Sequence, residues 1–286
     1  VVQELFMTPT AEFADVVLPA ASFFEKSGTF TNGERRVQRV NAVIAPIPGT
    51  KSDGQIIVDI MNRMGVKQPD YAPDTLLAEI AQVVPFFKGA TWEGLGDNGK
   101  QWPIQPGNVG TEILHTETFK RGLGKFHFFE FKESREIVQN QGQFPLILTT
   151  GRLLEHYNCG TMTRRTGNAQ IVEHDELAIN PADAAAKGIR TGNIVRISSA
   201  RGEIHMRAKV SDEVKPGVVY TTFHFPEVLV NVVTSSECDE DTMCPEYKVV
   251  AVDVARVPEG EVSAFEAARS ETRPVAVEFS APASNP

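Results

Sequence analysis

Side chains that bind anions or polar ring edges are concentrated in one short loop, residues 150–163. This loop offers hydroxyl, guanidinium, imidazole and amide groups on Thr150, Arg152, His156, Asn158 and Thr161. Gly151 lets the backbone approach a ligand closely, and the guanidinium of Arg152 could form paired bonds to phosphate oxygens. The residues alone favour a polar surface loop with Arg152 in a salt bridge, and a site for a phosphate-bearing ligand is the alternative.

Two further segments place polar side chains near aromatic residues. Asn231 follows the aromatic run at 223–225, and its amide could both donate to and accept from the edge of a heterocyclic ring. Tyr247 and Lys248 precede the last apolar run, where they offer a ring, a hydroxyl and a positive charge. A Tyr-Lys pair at a strand start is usually only a surface feature at the rim. His224, between two aromatic residues, is expected to be a core residue.

A third polar cluster lies closer to the start of the chain. It consists of Thr29, Asn32, Glu34, Arg35, Arg36 and Gln38. The arginines and the glutamate could lock this loop against neighbouring domains, or they could contact a ligand directly. We favour the structural interpretation for this cluster.

The composition argues against several classes of function. The chain has 286 residues and a net charge of −9, and no block of Lys and Arg forms a surface for a nucleic-acid backbone. Cys159, Cys238 and Cys244 lack the C-x2-C pairs of a zinc or iron–sulfur site, so free thiols are expected. No apolar stretch reaches the ~18 residues of a membrane span, and no signal-peptide pattern is present. We expect a cytoplasmic chain without a nucleic-acid partner or a membrane span.

The elements that would position these side chains begin with an α/β unit at residues 1–85. Apolar runs at 1–7 and 14–19 predict two strands, and apolar residues at helical spacing predict helices at 53–64 and 75–83. Gly65 lies where the first helix should end. Two strands so close together indicate the edge of a sheet that began earlier, so we expect the chain to be part of a longer protein.

Along the rest of the chain, the sequence pattern changes near residue 86 and again near residue 144. Residues 86–143 are rich in glycine and proline, with Trp92 and Trp102 as anchors, and predict a long ordered connection. Residues 144–257 predict a β-barrel, since short strands are expected at 146–150, 194–198, 203–210, 218–225 and 249–257. Asn180 and Pro181 predict the start of a short helix that Gly188 ends. Residues 258–286 are expected to be a C-terminal tail.

Three longer strings carry a family resemblance that covers residues 1 to about 257. The first contains ADVVLP at 14–19 and EKSGTFTNGERRVQ at 25–38. The second contains LTTGR at 148–152, EHYN at 155–158 and TMTR at 161–164. The third contains FHF at 223–225, Asn231 and CPEYK at 244–248. Together they resemble the molybdopterin oxidoreductase family, and within it the formate dehydrogenase branch.

This resemblance implies an α/β plus β fold, in which a partial α/β (Rossmann-like) domain precedes a six-stranded double-psi-like β-barrel. It also implies two molybdopterin guanine dinucleotides (bis-MGD) that carry molybdenum or tungsten, with the barrel closing over them. In the family, the Cys or selenocysteine ligand of the metal, the His and Arg that handle formate, and the 4Fe–4S cysteines lie in earlier domains. None of those motifs occurs here, so we expect no catalytic residue and no metal ligand in this chain.

Carried over residue by residue, the resemblance predicts nine cofactor-binding residues. These are Thr150, Gly151, Arg152, His156, Asn158, Thr161, Asn231, Tyr247 and Lys248. The chain would be the C-terminal portion of a formate dehydrogenase catalytic subunit, inactive alone. Its partners would be the N-terminal domains of that subunit and electron-transfer subunits, which could be linked to NAD. Two alternatives stay open: another molybdopterin oxidoreductase such as nitrate reductase, and a cofactor-free structural relative in a respiratory complex.

Overall fold

The structure is a computed structural model that describes residues 1–262 and divides the chain into two compact units between Phe128 and Phe129. This division lies inside the segment 86–143 that the sequence predicts as a connection. The predicted domain boundaries near residues 85, 143 and 257 stay predictions. Most of the predicted tail, from residue 263 onward, lies outside the described residues.

The first unit combines two small sheets with two longer helices. Strands β1 (Val2–Glu4) and β2 (Val17–Pro19) pair in parallel, with the short helix α1 (Pro9–Glu12) between them in sequence. Strands β3 (Gly28–Thr31) and β4 (Arg36–Val40) form an antiparallel hairpin. Helices α2 (Asp53–Arg63), α3 (Pro73–Val83) and α4 (Trp92–Leu95) follow, and β5 (Lys100–Gln101) then pairs with β4.

Helices α2 and α3 confirm the two helices that apolar spacing predicts. Helix α2 begins after Ser52, whose hydroxyl accepts a hydrogen bond from the amide of Gln55. It ends at Arg63, and Gly65 follows the C-cap residue Met64 with a φ of +90°, which is unfavourable for residues with a side chain. A small buried core lies between the elements of this unit, and both tryptophans pack against it. Its members are Val37, Leu77, Ala90, Leu95 and Ile104.

The polar cluster near the start of the chain fixes the hairpin of β3 and β4. The side-chain oxygen of Asn32 accepts from the amides of Glu34 and Arg36, at 2.9 and 3.0 Å. The guanidinium of Arg35 donates to the carbonyls of Trp102, Thr111 and Glu112 in the same unit. The structural interpretation of this cluster therefore agrees with the contacts, although the partner is the unit's own segment and not a neighbouring domain.

The second unit is a closed barrel of six strands. Helix α5 (Arg135–Asn140) leads into β6 (Leu146–Gly151), and α6 (Asn168–Ile171) precedes β7 (Glu176–Ile179). Helix α7 (Pro181–Ala186) connects to β8 (Ile194–Ser198), β9 (Glu203–Val210), β10 (Val218–Thr222) and β11 (Val250–Arg256). The closed order is β10-β6-β11-β8-β9-β7. The predicted fold class, α/β plus a six-stranded barrel, is confirmed, and of the six strands the sequence did not predict β7 individually.

Alternating side chains of the strands fill the interior of the barrel. In β6, Leu146, Leu148 and Thr150 are buried while their neighbours in the strand are half-buried. Met206 in β9 and Val252 in β11 are fully buried in the same cluster. Burying side chains of this size stabilises the fold by about 1.5–3 kcal/mol each. Because buried and half-buried residues alternate along β6, Thr150 is the last buried residue of this strand. The loop that carries the predicted site begins just beyond it.

Candidate functional site

The register of β6 and β10 sets where the predicted loop leaves the barrel. These strands run in parallel, and their last paired residues are Gly151 and Thr222. Arg152 and Phe223 are the next residues of the two strands, so they emerge side by side. We call this end of the barrel the site end.

Tyr247 and Lys248 lie in a turn just before β11. Strand β11 runs antiparallel to β6, with Val250 opposite Leu148. The chain turns before Val250, where the amide of Val249 donates to the carbonyl of Glu246 at 3.2 Å. A position of Tyr247 and Lys248 at the site end therefore stays a prediction. Lys248 is exposed, as is Tyr247 at 41%.

Asn231 lies away from these strands in sequence. It is in one turn of 3-10 helix, Val230–Val232, and it is exposed. The side chain of Val232 packs over Gly202, in the turn between β8 and β9, where a Cβ atom would come within 2.8 Å of it. Thr150 and Gly151 end β6, and Arg152, His156, Asn158 and Thr161 lie in the loop that follows. The structure thus brings six of the nine predicted residues to the site end, and a place there for Asn231, Tyr247 and Lys248 stays a prediction.

His156 is a structural support of the loop. Its ring is 4% exposed, and its Nε2 lies 2.8 Å from the carbonyl oxygen of Val172. Because a carbonyl only accepts, Nε2 carries the proton, and Nδ1 accepts from the hydroxyl of Thr163 at 3.0 Å. The same hydroxyl accepts from the amide of Tyr157 at 3.2 Å. Both ring nitrogens thus have partners within the chain, and ligand contact by His156 stays a prediction.

His224 is a second buried support. It is 0% exposed, as expected of a core residue, yet both of its nitrogens bond to the loop. Its Nε2 accepts from the amide of Leu153 at 2.9 Å, so the proton is on Nδ1, which donates to the carbonyl of Asn158. The sequence offered one signal for this role, the FHF string directly after β10.

Arg152 is held at the surface by neighbours that leave its charge available. Its guanidinium lies 5.3 Å from the ring centroid of Phe223 and 3.4 Å from the side-chain oxygen of Asn158. Among residues 1–262 it makes no ion pair with a carboxylate, so the salt-bridge alternative finds no partner there. An exposed guanidinium stacked on a ring is suited to bind a phosphate group.

Tyr220 fixes the backbone where the loop begins. Its ring lies against Gly151 so closely that a Cβ atom on this glycine would overlap it. Its hydroxyl donates to the carbonyl of Arg152 at 3.3 Å. Burial and the nearby negative charge of Asp175 raise the pKa of the Tyr220 phenol, so it stays a neutral donor. The sequence pattern did not single out Tyr220.

The remaining donors agree with a polar, anionic ligand. The hydroxyl of Thr150 is buried and forms no hydrogen bond with the described residues. The hydroxyl of Thr161 lies 3.1 Å from the sulfur of Cys159. The nine predicted residues include one guanidinium, one ammonium and several neutral donors, but no carboxylate. This donor set fits a ligand that carries phosphate groups and polar rings.

The described residues contain no cluster of metal-binding side chains. Within residues 1–262, no group of three or more His, Cys, Asp or Glu side chains could hold a metal ion. Cys159, Cys238 and Cys244 are free thiols. In the same range, no helix has both the length and the apolar character needed to cross a membrane.

Two family descriptions match separate parts of the chain. Residues 1–63 match the family described as Molybdopterin oxidoreductase. Residues 146–251, which run from the start of β6 into β11, match the family described as Molydopterin dinucleotide binding domain. The second match includes all nine predicted residues and the whole site end.

Two curated proteins that are similar to this chain over most of its length are named as formate dehydrogenase alpha subunits. The chain is 43% identical over 263 residues to the F420-dependent formate dehydrogenase 2 subunit alpha of Methanococcus maripaludis, covering 90% of this chain and 39% of that protein. It is 40% identical, with the same coverage, to the F420-dependent formate dehydrogenase subunit alpha of Methanocaldococcus jannaschii. Acetylene hydratase from Pelobacter acetylenicus has a similar fold, with a TM-score of 0.62 at 18% identity over 90% of this chain and 40% of that one. The chain thus spans 39% of the length of these two curated relatives.

Proposed function

The chain belongs to the molybdopterin oxidoreductase family, and on that premise we propose that it is the C-terminal, cofactor-binding portion of a formate dehydrogenase alpha subunit. The identities of 43% and 40% to formate dehydrogenase alpha subunits support this choice of substrate class. The observation that carries the binding role is the exposed guanidinium of Arg152 at the site end, held beside Phe223 and Asn158 among the neutral donors of its loop.

Each group of donors has a distinct part in holding a pterin guanine dinucleotide. The positive charges of Arg152 and Lys248 would offset the charge of the pyrophosphate. The amides of Asn158 and Asn231 would bond the edges of the guanine or pterin rings, because an amide both donates and accepts. The hydroxyls of the site end and the backbone at Gly151 would complete the contacts.

The chemistry itself belongs to the bound cofactor. A molybdenum or tungsten ion carried by two such dinucleotides supplies the two-electron oxidation of formate to carbon dioxide. The residues of this chain bind and orient the dinucleotide and keep its phosphates neutralised. We propose that the metal ligand, the formate-handling residues and a 4Fe–4S cluster lie in N-terminal domains of the same subunit, and that this portion alone is inactive.

The wider assembly is also a proposal. Electrons would leave through electron-transfer subunits in the cytoplasm, either toward NAD or toward coenzyme F420, for which the two relatives are named. The cofactor-free alternative is less favoured, because it gives no role to the exposed Arg152 or to the hydroxyl of Thr150, which has no hydrogen-bond partner among residues 1–262.

Metal and pterin content of the complete enzyme tests the proposal. We expect Arg152→Ala and Lys248→Ala in the full subunit to lower bound molybdenum or tungsten and pterin, each weakening affinity about tenfold or more through loss of a charge-assisted hydrogen bond. Arg190→Ala and Lys209→Ala are matched controls, since both residues are exposed and lie at the opposite end of the barrel. Normal metal and pterin content in both site variants would contradict the assignment.

A further inference from the structure

Two consecutive side chains after β10 hold the loop that carries Arg152. Phe223 is half-buried and His224 fully buried. His224 bonds to the loop at two points, the amide of Leu153 and the carbonyl of Asn158, and so closes a span of six residues. Neither side chain is among the residues expected to touch the ligand.

The bond from His224 to Asn158 stabilises an unusual backbone conformation. Asn158 has a φ of +48°, in the left-handed region that residues with a side chain adopt at a cost. Asparagine tolerates this region better than most residues, and the bond at its carbonyl helps to hold it there. In this conformation the side-chain oxygen of Asn158 lies 3.4 Å from the guanidinium of Arg152.

Phe223 contacts the same guanidinium. Its ring centroid lies 5.3 Å from the central carbon of the group, within the range of a cation–π contact. Arginine loses considerable side-chain entropy when a ligand immobilises it, and a side chain that is already oriented loses less. The ring and the Asn158 oxygen together orient Arg152 before a ligand arrives, while its charge stays exposed.

We propose that Phe223 and His224 are positioning residues that pre-organise Arg152 to bind the phosphate groups of the dinucleotide, Phe223 through its ring and His224 through Asn158. This inference rests on the proposed function and adds the residues on which its anion contacts depend. His224 acts as a neutral bridge, because its Nε2 accepts from an amide and its single proton is used at Asn158.

Four variants of the full subunit separate the parts of this arrangement. His224→Leu removes both bonds, whereas His224→Asn can keep the donor near the Nδ1 position and His224→Gln can keep an acceptor near the Nε2 position. Phe223→Leu removes the ring but keeps an apolar side chain. The readouts are retained pterin and guanine nucleotide per subunit, the thermal midpoint, and hydrogen exchange of the amides at 153–158 in cofactor-stripped subunit.

The variants at His224 should lose dinucleotide to different extents. His224→Leu should weaken retention about tenfold and speed exchange at 153–158, with His224→Asn and His224→Gln intermediate in both readouts. Because the amide variants keep a partner, they should fold even if His224→Leu does not. His224→Gln should lower retention less in an Arg152→Ala background than in wild type, since part of its effect acts through the guanidinium of Arg152.

Two results would overturn the inference, and they are distinguishable. If Arg152→Ala lowers retention but the folded variants at 223 and 224 retain dinucleotide normally, the positioning role is wrong and the proposed function stands. If Arg152→Ala and Lys248→Ala both retain dinucleotide normally, the proposed function fails, and the positioning role fails with it.

Discussion

At the residue scale, Glu136 shows how a buried charge can hold several segments together. Its carboxylate is 2% exposed and accepts from both terminal nitrogens of Arg201, at 2.8 and 2.7 Å. It also accepts from the hydroxyl of Ser235 and the amide of Ala251. Burial alone would raise the pKa of Glu136, but the bonds from Arg201 and Ala251 outweigh it and hold this pKa below its usual value.

A lowered carboxyl pKa predicts a specific dependence of stability on pH. The contribution of Glu136 is fully present above its unfolded-state pKa, and it is lost as pH falls through the lower folded-state pKa. We expect the difference in unfolding free energy between wild type and Glu136→Gln to shrink between about pH 6 and about pH 3. The exposed neighbour Glu133→Gln is the control and should track wild type. A difference that stays constant over this pH range would refute this account of Glu136.

Gly151 is required by its contact with Tyr220. A Cβ atom would overlap the tyrosine ring, so Gly151→Ala should lower the free energy of unfolding by about 1–3 kcal/mol. Gly142→Ala is the matched control, because a Cβ atom there meets nothing within 4 Å and the expected change is small. Chemical denaturation of both variants measures the difference. Equal stability of the two would show that the close approach at Gly151 is not required.

At the element scale, helix α7 illustrates a local signal that the structure confirms. The side-chain oxygen of Asn180 accepts from the amide of Ala182 at 2.9 Å, and its side-chain nitrogen donates to the carbonyl of Val214 at 2.8 Å. Gly188, which the sequence places at the end of this helix, has a φ of +63°. Asn180 thus caps the helix and also joins it to the segment before β10.

The loss of this cap should be measurable. Asn180→Ala removes both bonds and should lower the free energy of unfolding by about 1–2 kcal/mol. Gln139→Ala, at an exposed position of α5, should change it by less than about 0.5 kcal/mol. The two variants are compared by their denaturant midpoints, provided that the slope of the unfolding free energy against denaturant concentration is unchanged. A cap variant no less stable than the control would contradict the contribution of these two bonds.

Elements with a local signal were predictable, and those that depend on distant partners were not. Helices α2, α3 and α7 and five barrel strands follow from periodicity and turn residues. Strand β7 has only four residues, and its last three are all buried, so it shows no alternation. Strand β5 has two residues, and it is defined by pairing with β4, more than sixty residues earlier.

The residues of the candidate site also differ in whether the sequence alone could reveal their roles. The donor types of Arg152 and Lys248 could be recognised from the sequence, because their chemistry is intrinsic to each residue. The support from His224 could not, since its partner Leu153 lies 71 residues away along the chain. For His156, the sequence suggested a ligand contact, whereas the bond to Val172 that orients its ring depends on the folded loop.

At the scale of the whole molecule, exposed apolar side chains predict self-association of the chain when it is alone. Phe126 and Phe128 are 100% and 91% exposed, and Leu123 is 96% exposed. Apolar side chains grouped in this way promote association. We expect light scattering to show oligomers of the isolated chain, and fewer when Phe126→Ser and Phe128→Ser are combined. The control pair Lys120→Ser and Lys125→Ser should not reduce them; a monomeric wild-type chain would contradict this prediction.

Hydrogen exchange of the full subunit, compared with and without cofactor, tests whether the site end of the barrel holds the dinucleotide. Bound cofactor should protect the loop at 150–163 and the residues around 223–225 and 247–248. The turns around Gly192 and Gly217, at the opposite end, should exchange equally in both states. Protection confined to other parts of the subunit would show that the dinucleotide binds elsewhere.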